Sequence, residues 1–155
     1  MEEKGPHKFY TMRGYQLQDQ QSHALTPSLE DYLEMIFRSM QKGGAVRVSR
    51  LAEELNVKPS SVSKMLIKLA EMGYVAYEKY GEIRLTPKGV ERGGYLLWRH
   101  NVVARFFGAI MPNSEQAFEE VELVEHMLSP ETVRGLERAT RILENYARKE
   151  KGPPP

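Results

Sequence analysis

The feature that most constrains this chain is an order of elements: one helix, two short helices joined by a tight turn, then a β-hairpin. The first helix is expected to open at Thr26-Pro27-Ser28-Leu29-Glu30. Thr26 suits an N-cap, Pro27 the first helical position, and acidic residues the first turns. Tyr32, Leu33, Ile36, Phe37 and Met40 supply its apolar stripe, and Gly43-Gly44 ends it. Val46-Arg47-Val48 reads as a short extended piece, after which Ser49 is expected to cap a helix through Leu51, Ala52 and Leu55. Asn56-Val57-Lys58 turns the chain, and Pro59-Ser60-Ser61 opens a helix with Val62, Met65, Leu66 and Leu69 inside, stopping near Gly73. Such a pair is a helix-turn-helix. Tyr74–Glu78, Lys79-Tyr80-Gly81 and Glu82–Thr86 then alternate β-formers around a glycine-containing loop, which predicts a hairpin. A hairpin directly after the second helix is a wing. The expected class is therefore mainly α: an N-terminal winged helix-turn-helix at 26–86, followed by an all-helical unit at 87–148.

That second unit begins at Thr86-Pro87-Lys88-Gly89 and continues as one long helix to Ile110. Tyr95, Leu96, Trp98, Val102, Val103, Phe106 and Phe107 give it an apolar face too wide for a solvated helix. Gly93 and Gly94 are poor helix formers, at about 1 kcal/mol each relative to Ala; they imply either close approach of another helix or a kink. Met111-Pro112-Asn113 breaks the chain, Ser114 caps a helix to about Leu128, and Ser129-Pro130-Glu131 caps a last one. Residues 1–25 lack sustained periodicity and read as a flexible extension, and residues 149–155 as a tail. No apolar run approaches a membrane span and no signal-peptide core follows the first Met, which suits a cytoplasmic protein.

Charge is unevenly spread. Residues 45–110 carry eleven Lys/Arg against six Glu, whereas 111–128 carry five Glu and no Lys or Arg. One stretch suits phosphate and the other cations, although solvated helix faces produce the same pattern. The chain has no cysteine, so thiolate nucleophiles, disulfides and Cys-ligated zinc are excluded. Any metal site must use carboxylates, imidazoles and backbone oxygens. Glu122, Glu125 and His126, spaced three and four apart on a helix, share a face and can grip one ion; taken alone they equally fit a solvated acidic surface. Asp31 and Glu34 share a face of the first helix. His100, beside Arg99 in the long apolar helix, serves as a ligand only if the other sets converge on it; otherwise it is a core histidine.

Residues 26–148 resemble the diphtheria-toxin-repressor family of metal-dependent regulators, and within it the manganese transport regulator branch. The stretches that carry the resemblance are 26–34, 59–65, Leu85-Thr86-Pro87-Lys88-Gly89, Arg99-His100 and 121–129. The resemblance implies that Asp31, Glu34, His100, Glu122, Glu125 and His126 form a two-metal site, with two Mn²⁺ per subunit expected. In the iron-responsive branch, Met is expected where this chain has Asp31 and Cys where it has Glu122, and a C-terminal SH3-like domain follows; those departures favour manganese. Four carboxylates and two imidazoles are a hard donor set suited to Mn²⁺, with Fe²⁺, Co²⁺ or Cd²⁺ as possible substitutes.

The role that the resemblance implies is a manganese-responsive repressor controlling metal uptake, not an enzyme, binding palindromic double-stranded operator DNA as a homodimer. Ser60, Ser61 and Ser63 are placed to meet base edges or phosphates, and Lys64 and Lys68 to reach the backbone. Lys79, Tyr80 and Arg84 of the wing, and more weakly Arg47, are further candidates; each lysine alone is also ordinary surface charge. Three rivals share parts of this pattern: an iron-responsive regulator, a metal-independent winged-helix protein, and a two-metal hydrolase. The last lacks a candidate nucleophile or oxyanion loop.

Overall fold

The computed structural model describes Thr11 and residues 25–43, 45–78 and 81–150. Most of residues 1–24, and Lys79 and Tyr80, lie outside the described residues. Among them, six α-helices and one two-stranded sheet follow the expected order: α1 (Pro27–Gln41), α2 (Val48–Glu54), α3 (Pro59–Glu71), β1 (Val75–Tyr77), β2 (Ile83–Leu85), α4 (Pro87–Ile110), α5 (Glu115–Val124), a 3-10 turn (Glu125–Met127) and α6 (Pro130–Glu150).

Local signals set most boundaries. The Thr26 hydroxyl accepts from Leu29 N, Thr86 from Gly89 N, Ser114 from Ala117 N and Ser129 from Thr132 N, so the four hydroxyl caps form where the sequence places them. Ser49 does not cap: the chain is already helical at Val48, and Arg47 holds the cap position without a side-chain bond. The turn after α2 is made by Asn56 at φ 53°, a left-handed conformation that asparagine tolerates.

The main core is built by the first three helices, the hairpin and the start of α4. Leu33, Ile36, Leu51, Val62, Leu66, Leu69 and Leu96 are fully enclosed there. The hairpin pairs antiparallel with Val75 opposite Leu85 and Tyr77 opposite Ile83. Its second strand is backed by the segment before α2, where Ile83 N donates to Val46 O at 2.9 Å. Thr86 joins the two halves: its N–H donates to Tyr74 O and its hydroxyl lies 2.7 Å from Gly73 O while capping α4. A Cβ on Gly89 would lie 1.9 Å from Tyr74 O, so only glycine allows α4 to start this close to the hairpin.

Of the two outcomes open for Gly93, close approach is the one realised. A Cβ there would meet Phe37 of α1 at 2.8 Å, and α4 runs unbroken past it. α4 is thereby the spine of the molecule, touching α1, α5 and α6. The helix expected to reach Leu128 ends sooner: α5 stops at Val124 and Glu125–Met127 tighten into the 3-10 turn. No helix among the described residues is long and apolar enough to cross a membrane.

Candidate metal centre and DNA-reading face

The three ligand sets expected from sequence meet in one place. α1 brings Asp31 and Glu34, α4 brings His100, α5 brings Glu122, and the 3-10 turn brings Glu125 and His126. His100 Nδ1 lies 3.1 Å from Glu125 Oε2, 3.5 Å from Glu122 Oε1 and 4.0 Å from Glu34 Oε1. His126 Nε2 lies 2.9 Å from Asp31 Oδ1 and 3.9 Å from Glu125 Oε1. Asp31, Glu125 and His126 each offer an atom within 4.8 Å of the others, and Glu34, His100 and Glu125 do the same. Glu125, 1% exposed, belongs to both groups and points one oxygen at each histidine. Glu122 stands beside the second group with its side chain 45% exposed.

The electrostatics of the site fit a place for cations. The hydrogen bond to Glu125 raises the His100 pKa, against the opposing effect of burial, with the Glu125 and Glu34 charges adding to the rise. Burial tends to lower that of His126, yet hydrogen bonds to Asp31 and Glu30 carry it up to about 9. Burial raises the Glu122 carboxyl; His100 opposes, while the charges of Glu125, Glu34 and Asp31 add to the rise. The crowded carboxylates thus favour positive charge on the imidazoles, and a divalent cation held by these residues would supply the same balance. The donor atoms are oxygen and nitrogen throughout, the hard set that suits Mn²⁺. The residues fit the ion.

Sequence reasoning did not find the arginines that surround this site. Arg38 Nε and Nη2 both donate to Glu34 Oε1. Arg92 and Arg99 of α4 both donate to Glu30, and Arg99 is 3% exposed. Burial works to raise the Glu30 pKa, but hydrogen bonds from His126 and Arg99 and the two arginine charges bring it down to about 2. The one signal available was a charged residue, Arg99, in an otherwise apolar stretch, seven positions from Arg92 and so on the same helix face.

The described DNA-reading candidates lie on α3, before α2 and on β2. Ser60, Ser61, Lys64 and Lys68 are exposed along α3 and Ser63 is half-buried. Arg47 is exposed at the start of α2, and Arg84 is exposed on β2, 3.5 Å from Glu82. Lys79 and Tyr80 lie outside the described residues. Opposite its own exposed residues α3 buries Val62, Leu66 and Leu69, which fixes which side of the helix faces outward.

Residues 24–83 match the N-terminal DNA binding domain of the iron dependent repressors, and residues 86–153 match their metal binding and dimerisation domain. The chain belongs to the iron-dependent repressor family. Among its relatives, the HTH-type transcriptional regulator MntR of Listeria welshimeri is 41% identical over 121 residues, covering 78% of this chain and 85% of that protein. The protein of the same name from Geobacillus thermodenitrificans is 46% identical over 104 residues, covering 67% and 74%. Among solved structures, the manganese regulator SloR superposes with a TM-score of 0.66 at 27% identity, covering 76% of this chain. The chain spans 55% of the length of that structure. The family's two domains meet between residues 83 and 86, where Thr86 both closes the hairpin and caps α4. As a member of the iron-dependent repressor family, the chain is a transcriptional regulator with a DNA-binding unit and a metal-binding, dimerising one.

Proposed function

We propose that this regulator is a manganese-responsive repressor whose grip on operator DNA is set by metal held between its two units. The observation that carries this reading is the convergence of Asp31 and Glu34, from the DNA-binding unit, with His100, Glu122, Glu125 and His126, from the helical unit. These six side chains would hold two ions per subunit, with Glu125 reaching both. The division is 26–86 for the reader and 87–148 for the metal-binding and dimerising unit. When bound, the cations supply +4 of charge against four carboxylates. Their effect on the protein is mechanical: α1 packs against α3, so fixing Asp31 and Glu34 relative to the 3-10 turn restricts where the reading helix stands. Reciprocity requires operator DNA to tighten metal binding by the same factor.

The chain would act as a homodimer in the cytoplasm, its two reading helices on a palindromic site, controlling metal uptake. Exposed apolar side chains on the helical unit, including Phe118, Leu123, Ile142 and Tyr146, support a second copy as the partner. The hard donor set and the absence of cysteine support manganese, as does the similarity to a manganese regulator of known structure. Fe²⁺, Co²⁺ and Cd²⁺ are the substitutes to compare. Ser60, Ser61, Ser63, Lys64 and Lys68, with Arg47, Lys79, Tyr80 and Arg84, would meet the duplex.

The test begins with selection of duplexes from a random pool in the presence of Mn²⁺. Fluorescence anisotropy on the selected duplex then follows with Mn²⁺, Fe²⁺, Co²⁺ or Cd²⁺ and with chelator. Mn²⁺ should tighten binding roughly 5–150-fold, a coupling of about 1–3 kcal/mol. Affinity that ignores both chelator and metal would leave a metal-independent winged-helix protein, and a response to Fe²⁺ alone an iron sensor. Glu122→Ala should lower metal stoichiometry and abolish the response.

A further inference from the structure

Glu30 lies against the metal centre without being one of its proposed ligands. It is 5% exposed and stands on α1 next to Asp31. Its Oε1 accepts from Arg92 Nη2 at 2.5 Å and its Oε2 from Arg99 Nη2 at 2.8 Å. The same Oε2 lies 2.9 Å from His126 Nδ1, and Arg99 Nη2 lies 3.1 Å from that nitrogen.

Nδ1 of His126 therefore has two neighbours with opposite demands. A carboxylate oxygen only accepts, so facing Glu30 requires a proton on Nδ1. A guanidinium only donates, so facing Arg99 requires a bare Nδ1. In a neutral imidazole, whichever demand wins fixes the state of the far nitrogen, Nε2, which lies 2.9 Å from Asp31 Oδ1. A proton on Nδ1 leaves Nε2 with a free lone pair, and a bare Nδ1 puts the proton on Nε2 and blocks it.

We propose that Glu30 is a positioning residue that keeps the proton of His126 on Nδ1 and so presents Nε2 toward Asp31 and Glu125 as the ligating atom. The inference rests on the metal-site reading above. Three observations support it. Arg99 Nη2 lies closer to Glu30 Oε2, at 2.8 Å, than to His126 Nδ1, at 3.1 Å, so its shorter, charge-assisted contact is the one to the carboxylate. Two arginines from α4 hold both carboxylate oxygens, which keeps Oε2 from swinging away from the ring. Finally, Glu30 and Asp31 are consecutive on one helix, about 100° apart around its axis, so one turn of α1 grips the ring at both nitrogens. A second hydrogen bond of this kind commonly orients a ligating histidine and raises its basicity.

The inference predicts a tautomer, which can be read in the wild-type chain. Long-range ¹H–¹⁵N correlations on the full-length protein saturated with Cd²⁺ should show the His126 proton on Nδ1 and the metal on Nε2. Cadmium on Nδ1 would overturn the inference while leaving the metal site standing. A wild-type chain that binds neither Cd²⁺ nor Mn²⁺ would overturn the metal reading itself. Mn²⁺ affinity, measured by competition with a chelator, should then fall on the order of 10–100-fold in Glu30→Ala. Glu30→Gln keeps an accepting oxygen and should retain the Nδ1–H signal with a loss of less than about tenfold. Glu30→Ala combined with Arg99→Met removes the competing donor and leaves no unpaired buried charge, so it should fold and recover part of the affinity. Unchanged affinity in Glu30→Ala, or a loss that neither Glu30→Gln nor the double variant relieves, would overturn the positioning role.

Discussion

The two halves of this chain spend their apolar residues differently. In the DNA-binding unit, Leu33, Ile36, Leu51, Val62, Leu66 and Leu69 are fully enclosed, and one continuous core joins three helices to the hairpin. In the helical unit the enclosed residues are fewer and smaller, chiefly Val102, Val103, Val121 and Val133, while Ile110, Phe118, Leu123, Ile142 and Tyr146 remain exposed. Polar burial runs the other way: Glu30, Glu34, Arg99, His100 and Glu125 are all buried where the two units meet. The reader completes its core within one chain. The helical unit leaves surface for a partner, and charge is concentrated at the join, where an ion can change the balance.

That contrast can be broken at several points. The largest effect should follow from Leu66→Ala, which opens a cavity in the enclosed core; a cost of about 2–5 kcal/mol is expected in chemical denaturation of metal-free protein. A loss below 1 kcal/mol would show that the reader's core is not what holds it together.

The join should respond to pH. His126 has its pKa raised from 6.5 to about 9, so the stability gained from its charged form is complete below pH 6.5. It is lost as pH rises through about 9. If this ring is a ligand as proposed, protons compete with metal for it, and Mn²⁺ affinity should climb up to about tenfold per pH unit in that window for one displaced proton. Calorimetric titrations at several pH values, in buffers of different ionisation enthalpy, would count the proton released. A flat profile between pH 7 and 9 would mean that His126 does not exchange its proton for metal.

The exposed face of the helical unit gives a third test. Ile142→Ser with Tyr146→Ser should leave the stability of the monomer within about 0.5 kcal/mol at dilutions where the chain is dissociated, because both side chains are already solvated in one chain. Self-association, measured by sedimentation, should weaken if that face is covered by a second copy. The smallest effect is expected on the reading face: Lys64→Ala should reduce the salt slope of DNA binding by about one counterion. An unchanged slope would remove Lys64 from the phosphate contacts.

The parts of the molecule that were legible in the sequence are those with local signals. Thr26, Thr86, Ser114 and Ser129 each cap the helix that follows because an N-cap needs only a hydroxyl and a free N–H within three residues. The wing was legible from alternation around Gly81, and the candidate ligands from their three- and four-residue spacings together with family resemblance. Ser49 misled because propensity alone does not say whether the chain has already turned helical before it. The 3-10 turn at Glu125 was invisible, since the sequence there continues a helical pattern and only packing tightens it. Glu30 with Arg92 and Arg99 could not be paired from sequence because the partners lie 62 and 69 residues apart.

The missing side chain at Gly93 has a consequence for how the centre is put together. With Phe37 seated against bare backbone, and Glu30 clasped by Arg92 and Arg99, α1 packs directly on α4, and the two helices carry Asp31, Glu34 and His100. Glu122 stands on α5, and Glu125 and His126 on the 3-10 turn that follows it; α5 joins α4 through Met111–Ser114, where Asn113 adopts φ 65°. The centre thus takes three donors from the stretch before that connection and three from the stretch after it. A residue inserted between Ile110 and Ser114 would displace three donors together while leaving the other three in register.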